Sequence, residues 1–195
     1  MVFIVLFLFI IYNAFAESGT CGTNCTWIYD SNDKTINISG LGNMTDWSSG
    51  TSTPWYNYKT DIETVIIGEG ITYISSFIFE GFSSIKTVNL PFGLKTIGTH
   101  VFKLCTSLSN IIIPESVTEI GQYTFWSCHS LKSITIPNGV KIIEDGLFYD
   151  CQNLENLTIT EEVESFGMKM FYNCQKLKSF IIPKGAHHLS VFNDT

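Results

Sequence analysis

The stretch 131–153, LKSITIPNGVKIIEDGLFYDCQN, decides the fold because it is one unit of a repeated pattern. Copies of this 23-residue pattern start at Ile62, Ile85, Leu108, Leu131 and Leu154, and a shortened sixth copy starts at Leu177. A single unit of this length buries almost no apolar surface, whereas stacked units bury a continuous core. The repeat therefore predicts a solenoid built of stacked coils.

Within the unit, the apolar spacing predicts a strand, a turn and a return. Positions four and six are apolar in every copy, as Ile134 and Ile136 are, and this alternation is typical of a strand with one inward face. Pro137 at position seven ends the strand, and Gly139 at position nine lets the chain turn. Phe at position eighteen, followed three residues later by Phe82 or a cysteine, predicts a short helical or extended return. The expected class is thus an α/β repeat with a parallel sheet on one face.

The stretch 17–61 contains no copy of the repeat and is predicted to form an N-terminal cap. Its segments TWIYD and KTINISG alternate like short strands around a turn-prone Ser-Asn-Asp, which predicts a β-hairpin. Four aromatic residues, Trp27, Trp47, Trp55 and Tyr56, are suited to cover the open end of the solenoid core. The alternative role for this cluster is stacking on a sugar.

The segment 1–16, MVFIVLFLFIIYNAFA, is predicted to be a secretory signal peptide. It carries no charged side chain, and its apolar run leads to Ala14-Phe15-Ala16, a small-x-small cleavage pattern. An uncleaved anchor is the alternative, although the run is shorter than the roughly 20 residues that span a bilayer. Residues 62–195 then form the repeat region of a secreted or cell-surface protein with no direct membrane insertion.

The charge of the chain argues against binding to nucleic acid. The net charge is −7, and all 11 basic residues are lysines. Nucleic-acid binding requires a basic face, usually with arginine forks that hold phosphates and base edges. We therefore expect no nucleic-acid partner.

The cysteines and histidines give no catalytic or metal motif. Cys105, Cys128, Cys151 and Cys174 lie 23 residues apart, without the close ligand spacing of a metal site, so we expect buried thiols, with disulfides between coils as the alternative. Cys21 and Cys25 lie in a Gly/Thr/Asn loop and are candidates for a short disulfide, or for unpaired cap residues. The histidines are His100, His129, His187 and His188, and none belongs to a recognisable triad motif. The prediction is a protein that is not an enzyme and uses no cofactor.

Asn-x-Ser/Thr sequences provide five candidate N-glycosylation sites, which favour a glycoprotein. These sites are Asn24, Asn37, Asn43, Asn156 and Asn193. A glycan on Asn156 would lie on the outward face of the predicted sheet and cover part of it.

The pattern LKSITIPNGVKIIEDGLFYDC resembles the BspA-type leucine-rich repeat, whose unit reads roughly L-x-x-I-x-I-P-x-x-V-x-x-I-G-x-x-x-F-x-x-C. The resemblance runs from Ile62 to about Asn193, and the segments CGTNCTWIYDSNDKTINISG and TPWY resemble the cap that precedes such repeats. It implies a leucine-rich-repeat solenoid at a cell surface or secreted, used for adhesion to host, matrix or cell-surface proteins, and not catalytic. The last copy lacks an aromatic–cysteine pair, which is also expected for a piece of a longer array.

The outward strand positions, three and five of each unit, are the candidate binding face. They are Thr64, Ile66, Thr87, Asn89, Asn110, Ile112, Ser133, Thr135, Asn156, Thr158, Ser179 and Ile181. Small polar and β-branched residues suit a solvated sheet, but a solvated face has no need of isoleucine. We expect a protein partner on this face. The alternative is a structural coat protein that self-associates through its C-terminal end, where an exposed strand can pair with another chain.

Overall fold

The computed structural model describes residues 16–178, 180, 181, 183, 184 and 186. Most of the predicted signal peptide, together with Ser179, His187, His188 and Asn193, lies outside the described residues. In chain order the strands are β1 (Ala16–Gly22), β2 (Cys25–Asp30), β3 (Thr35–Gly40), β4 (Gly42–Asn43), β5 (Thr64–Ile67), β6 (Ile71–Ile74), β7 (Thr87–Asn89), β8 (Thr96–Ile97), β9 (Asn110–Ile111), β10 (Glu119–Ile120), β11 (Ser133–Thr135), β12 (Ile142–Ile143), β13 (Asn156–Thr158) and β14 (Ser165–Phe166).

The cap is a three-stranded antiparallel unit that continues into the repeats. Strands β2 and β3 form the hairpin that the sequence predicts, with Cys25 opposite Gly40 and Asp30 opposite Thr35. Strand β1 adds to the outer side of β2 and was not expected, because its sequence AESGTCG lacks apolar alternation. Strand β3 pairs in parallel with β5, so the cap and the coils share one sheet.

The coils form the predicted solenoid, and their strands stack in parallel, each residue lying beside the residue 23 positions further along the chain. We number the coils 1 to 5 from their first residues, Ile62, Ile85, Leu108, Leu131 and Leu154. The first strand of each coil pairs with its equivalent, so that Thr64 lies beside Thr87 and Thr87 beside Asn110. Strands β1-β2-β3-β5-β7-β9, and beyond them β11-β13, make up the first sheet.

Each coil contains a second short strand that the sequence did not reveal. These strands, β4-β6-β8-β10 and then β12-β14, stack in parallel into a second sheet. The returns that follow are runs of turns, and within the described residues the helical segments are two 3-10 turns of the cap, Gly50–Ser52 and Tyr56–Tyr58. The return is therefore of the non-helical kind, and the architecture is a β-solenoid.

The core is built from columns of equivalent side chains. The position-eighteen rings stack with centroids 5.8–6.3 Å apart, through Phe79, Phe102, Phe125, Phe148 and Phe171. Burial of each such ring stabilises the fold by about 1.5–3 kcal/mol. Leucine, isoleucine and valine at positions one, four and thirteen are buried in the same way in almost every coil, which explains why the 23-residue period tolerates no insertion.

The return places two residues of every coil in the left-handed backbone region. At position sixteen they are Phe77, His100, Tyr123, Gly146 and Lys169, and at position twenty they are Gly81, Leu104, Ser127, Asp150 and Asn173. Their φ angles lie between 54° and 77°. Only two of these ten residues are glycine, and Asp150 and Asn173 also tolerate this region, so at the other positions the stacking of coils imposes the turn geometry.

Both sheets are interrupted at one junction, between coils 3 and 4. The first sheet ends at β9 and resumes with the pair β11–β13, while the second ends at β10 and resumes with β12–β14. The return stays joined across the same junction, since Tyr123 N donates to Asp145 O at 3.0 Å and Phe125 N to Leu147 O at 3.1 Å. The two coils thus lack backbone pairing in both sheets, but they stay bonded along the return and close at the turn, where a Cβ on Gly139 would lie 2.9 Å from Val117 O.

Candidate functional site

The first sheet presents most of the predicted binding face to solvent. Residues at positions three and five of coils 2 to 5 are exposed, and Ile112 and Ile181 are 76% and 81% exposed. Thr64 and Ile66 of coil 1 are half-buried, and Ser179 lies outside the described part of the chain. The cap extends the face, because Ile28 and Asn37 lie opposite each other and Asn37 lies beside Ile66.

This face is an uncharged strip between two charged margins. The outward positions of β5, β7, β9, β11 and β13 carry only Thr, Ser, Asn and Ile. One margin is the position-two column, Glu63, Lys86, Ser109, Lys132 and Glu155; the other is the position-eight column, Glu69, Phe92, Glu115, Asn138 and Glu161. Phe92, which is 85% exposed, is the apolar exception in these margins. A centre without charge inside a mostly charged or polar rim is compatible with a protein–protein interface.

A cleft of about 230 Å³ lies in the middle of the strip, where the first sheet is interrupted. Its lining comes from the strands on both sides of the junction and includes Asn110, Ile112, Ser133 and Thr135. Sequence reasoning identified these residues as outward, but not the opening between them. A larger cleft of about 580 Å³ runs along the second sheet, lined in part by Tyr73, Glu119 and Lys141.

The cysteine column is structural. Cys105, Cys128 and Cys151 are free and fully buried, and Cys174 is free and half-buried. Each thiol donates to the carbonyl oxygen of the position-eighteen residue in the preceding coil, at 3.0–3.3 Å. Burial raises the pKa of all four thiols, to about 12 for Cys174. Thiols of this kind do not act as nucleophiles at neutral pH.

The cap holds the one disulfide bond among the described residues. Cys21 and Cys25 are joined by a bond of 1.98 Å, with their Cα atoms 4.9 Å apart. Both are buried where β1 turns into β2, and the bond fixes the loop that carries Asn24. Asn24, Asn37, Asn43 and Asn156 are all exposed.

The structure brings together a Ser, a His and an Asp that are not consecutive in the sequence. Asp150 Oδ2 accepts hydrogen bonds from Ser127 Oγ at 3.0 Å and from His129 Nε2 at 2.9 Å. Burial raises the pKa of Asp150, but the bonds from His129, Gln152, Asn173 and Ser127 outweigh it and hold the pKa below its ordinary value. In a catalytic triad the imidazole lies between the hydroxyl and the carboxylate. Here the carboxylate lies between them, so His129 cannot take the serine proton, and the cluster is a structural hub.

Neither metal ligation nor membrane crossing finds support in the described residues. No group of three His, Cys, Asp or Glu side chains among them is arranged to hold a metal ion. None of their helices is long and apolar enough to cross a bilayer. The Trp residues of the cap pack on one another, and Trp55 is fully buried.

An aromatic ridge on the return was missed by sequence reasoning. Its rings contact one another at 4.6–5.4 Å through His100, Tyr123, Trp126, Tyr149 and Tyr172. Lys103 lies over the Trp126 ring at 4.4 Å and pairs with Glu80 at 2.9 Å. The only available signal was aromatic enrichment at positions sixteen and nineteen. Because these rings pack on one another through stacked, tilted and edge contacts, they stabilise the stack of coils.

The repeat geometry matches a known family. Residues 53–178 match, in six copies, the family model described as "BspA type Leucine rich repeat region". The chain belongs to this BspA-type family. The coil spacing, the phenylalanine column and the cysteine column described above are therefore features of a BspA-type array. Among curated proteins, none matches the chain.

Solved structures with the same fold come from bacteria. A leucine-rich repeat protein from Bacteroides ovatus is 24% identical, with a TM-score of 0.69 over 85% of this chain and 47% of that one. A leucine rich cell surface protein from Faecalibacterium prausnitzii is 25% identical, with a TM-score of 0.59 over 84% of this chain and 54% of that one. The T. pallidum leucine-rich repeat protein is 24% identical, with a TM-score of 0.51. The match covers 84% of this BspA-type chain and 88% of the T. pallidum chain. The chain thus spans about half the length of the first two.

Proposed function

We propose that this BspA-type array is a non-catalytic module of a secreted or cell-surface protein, and that it binds a protein partner through the outward face of the first sheet. The observation that carries the proposal is Ile112, which is 76% exposed at the edge of a cleft in the middle of an uncharged strip. Burying a side chain of this size in an interface contributes about 1.5–3 kcal/mol, which is the scale of a binding hot spot.

The charged margins set the kind of partner. The strip carries uncharged side chains that can hydrogen-bond, together with isoleucines. The charged side chains lie at its borders and include Lys86, Lys132, Glu63 and Glu115. Mixed charge at the rim favours a protein surface of matching pattern over a uniformly charged polymer. The cell-surface description of the Faecalibacterium prausnitzii protein supports display outside the cell.

Glycans would limit the contact area without removing it. Asn37 and Asn156 are exposed on the same face, one in the cap and one in coil 5, whereas Asn24 lies in the loop between β1 and β2 and Asn43 in the second sheet. Glycans on Asn37 and Asn156 would flank the central coils and leave Asn89, Ile112 and Thr135 uncovered. The predicted contact is therefore confined to coils 2 to 4.

Placing a positive charge in the middle of the uncharged strip tests the proposal. Wild type, Ile112→Lys and Thr135→Lys are applied to a panel of immobilised extracellular-matrix proteins and to fixed cultured epithelial cells. Thr118→Lys is the matched control, because it places the same charge on an exposed threonine beside the second sheet. We expect wild type and Thr118→Lys to bind equally and both face variants to lose at least about tenfold in affinity.

Two results would count against this function. Equal binding by all four proteins would indicate that the partner does not contact the first sheet. A sedimentation coefficient that rises with concentration, and falls back in Ile112→Lys, would favour self-association over binding to a different protein.

A further inference from the structure

Position fourteen of the coil is the point where neighbouring coils come closest. It is glycine in coils 2, 3 and 5, as Gly98, Gly121 and Gly167, and it directly follows the second-sheet strand. The amide of each glycine donates to the preceding coil at 2.7–2.8 Å, to Ile74 O, Ile97 O and Ile143 O in turn. This bond closes the second sheet at each of those junctions.

No side chain fits at this position in a closed junction. A Cβ on Gly98 would lie 2.7 Å from Ser76 N, and one on Gly121 would lie 2.6 Å from Thr99 N. A Cβ on Gly167 would be still closer to Asp145 N. Each contact would be with rigid backbone of the preceding coil, so relief requires that the coils separate.

Coil 4 carries Glu144 at this position, and its junction with coil 3 is open. In this part of the described chain, Glu144 N does not donate to Ile120 O, the bond equivalent to those of the glycines. The second sheet is broken here, between β10 and β12. The Glu144 carboxylate instead accepts a hydrogen bond from Gln122 Nε2 at 3.4 Å. The first sheet is broken at the same junction, whereas the return remains bonded.

We propose that the Cβ of Glu144 is a wedge that keeps coil 4 from pairing with coil 3 in both sheets and so forms the cleft beside Ile112. Glu144 is a positioning residue that lies on the second sheet and acts on the first. A role of the cleft in binding rests on the proposed function. The effect of Glu144 on the junction between coils 3 and 4 does not depend on that function.

Two variants of the full chain separate the wedge from the charge. Glu144→Gly removes the Cβ, whereas Glu144→Ala removes the carboxylate and keeps the Cβ. Amide hydrogen exchange read by mass spectrometry reports the backbone bonds of the junction. We expect Glu144→Gly to slow exchange in peptides covering 132–135 and 141–144 by about tenfold, the value of one gained hydrogen bond, and Glu144→Ala to exchange like wild type.

Either of two results overturns the proposal. If Glu144→Ala also slows exchange, then the carboxylate and not the Cβ keeps the junction open. If Glu144→Gly leaves exchange unchanged while its circular dichroism is that of wild type, then the opening has another origin. Gly121→Ala is the converse variant, and it must speed exchange in the peptide covering 119–122 by opening the junction between coils 2 and 3.

Failure of the proposed function remains distinguishable, because exchange needs no partner. The same variants are applied to the matrix panel and the fixed cells. Loss of binding in Glu144→Gly with retention in Glu144→Ala supports the cleft as the contact point. If exchange shows that the junction has closed in Glu144→Gly and binding is unchanged, the cleft is not part of the binding site. The role of Glu144 at the junction would still be supported.

Discussion

The thiol of Cys128 donates a hydrogen bond to the carbonyl oxygen of Phe102, 3.2 Å away in the preceding coil. The same oxygen also accepts the backbone N–H of Cys105 in its own coil, at 3.0 Å. The cysteine column therefore ties each coil to the one before it at the innermost point of the return. A small apolar side chain with one weak donor fits this place, and cysteine is such a residue.

Removing one of these thiols weakens the stack. We expect Cys128→Ala to lower the free energy of unfolding by about 1–3 kcal/mol, because it deletes a buried bond and leaves a small void. Urea denaturation followed by circular dichroism measures the change. Ser109→Ala, at an exposed position of the same coil, is the control and is expected to stay within about 0.5 kcal/mol of wild type. Equal losses in both variants would contradict a structural role for the thiol.

Thiol labelling should follow burial along the column. Burial raises the pKa of all four thiols, so little reactive thiolate is present at pH 8 and the order of labelling is set by access to each thiol. Cys174 is only half-buried, and we expect iodoacetamide to modify it first in the native protein. Peptide mass spectrometry after timed quenching gives the order, and the same reaction in guanidinium labels all four. Equal native rates at Cys128 and Cys174 would disprove the assigned burial.

Acid should weaken the link between the cap and coils 1 and 2. Glu63 lies 2.7 Å from Lys34 Nζ and 2.5 Å from Lys86 Nζ, and these hydrogen bonds lower its pKa to about 2. A lowered carboxyl pKa stabilises the fold above the ordinary value of about 4.5 and loses this contribution as the pH falls toward 2.

The melting temperatures of wild type and Glu63→Gln test this link. We expect them to differ at pH 6, to converge between pH 4.5 and 2, and to converge also in 1 M salt. The difference at pH 6 should be small, because the ion pair is partly exposed. Glu17→Gln, which removes a carboxylate from the outer strand of the cap, is the matched control. A difference that persists at pH 2 would rule out the ion pairs as its source.

The left-handed residues of the return offer a stabilising change. Leu104 has a φ of 62° and is 41% exposed, so the burial of its side chain offsets the penalty of the left-handed backbone only in part. Replacement by glycine should raise the free energy of unfolding by about 1 kcal/mol, since glycine adopts this conformation without a Cβ penalty. Leu41→Gly, at a 70% exposed leucine whose φ is not positive, should instead lower it. Thermal melts of the two variants should therefore shift in opposite directions.

The parts of the fold that were predictable are those with a period or an alternation in the residues themselves. Ile134 and Ile136 show an alternation that recurs in every copy, and the phenylalanine at the position of Phe148 recurs in phase in every full coil. The second sheet escaped because its strands, such as Ile142–Ile143, are two residues long and carry no readable alternation. The left-handed positions escaped because Phe77, His100 and Tyr123 have no turn signature, and only stacking imposes their geometry.

The candidate site was predictable in its residues and not in its shape. The outward positions of the strands follow from the period of two, so Ile112 and Thr135 were identified correctly as outward. The cleft between them depends on Glu144, which lies on the other sheet and faces away from the strip. Its signal was present as the replacement of a repeated glycine at position fourteen, but its effect requires the distance between coils, which the sequence does not contain.

Trp55 packs the cap against the core of the repeats. We expect its substitution to lower the free energy of unfolding more than the other substitutions proposed. Its ring is fully buried, with its centroid 5.9 Å from that of Phe79, so it adds one member to the phenylalanine column. Its indole Nε1 donates to Ile78 O at 3.0 Å, and the rings of Trp27 and Trp47 pack edge-on against it. An uncovered solenoid end exposes a full cross-section of core, and this indole covers it.

We expect Trp55→Ala to lower the free energy of unfolding by about 3–5 kcal/mol, and Trp55→Phe to lower it less, because the ring stays and only the hydrogen bond is lost. Trp126→Ala, in the half-buried ridge, is the comparison for a tryptophan that covers no core. Tryptophan fluorescence should shift to longer wavelength in Trp55→Ala and stay unchanged when mono- and oligosaccharides are added to wild type. Quenching by a sugar, together with a mild effect of Trp55→Ala, would instead assign the cluster to carbohydrate binding.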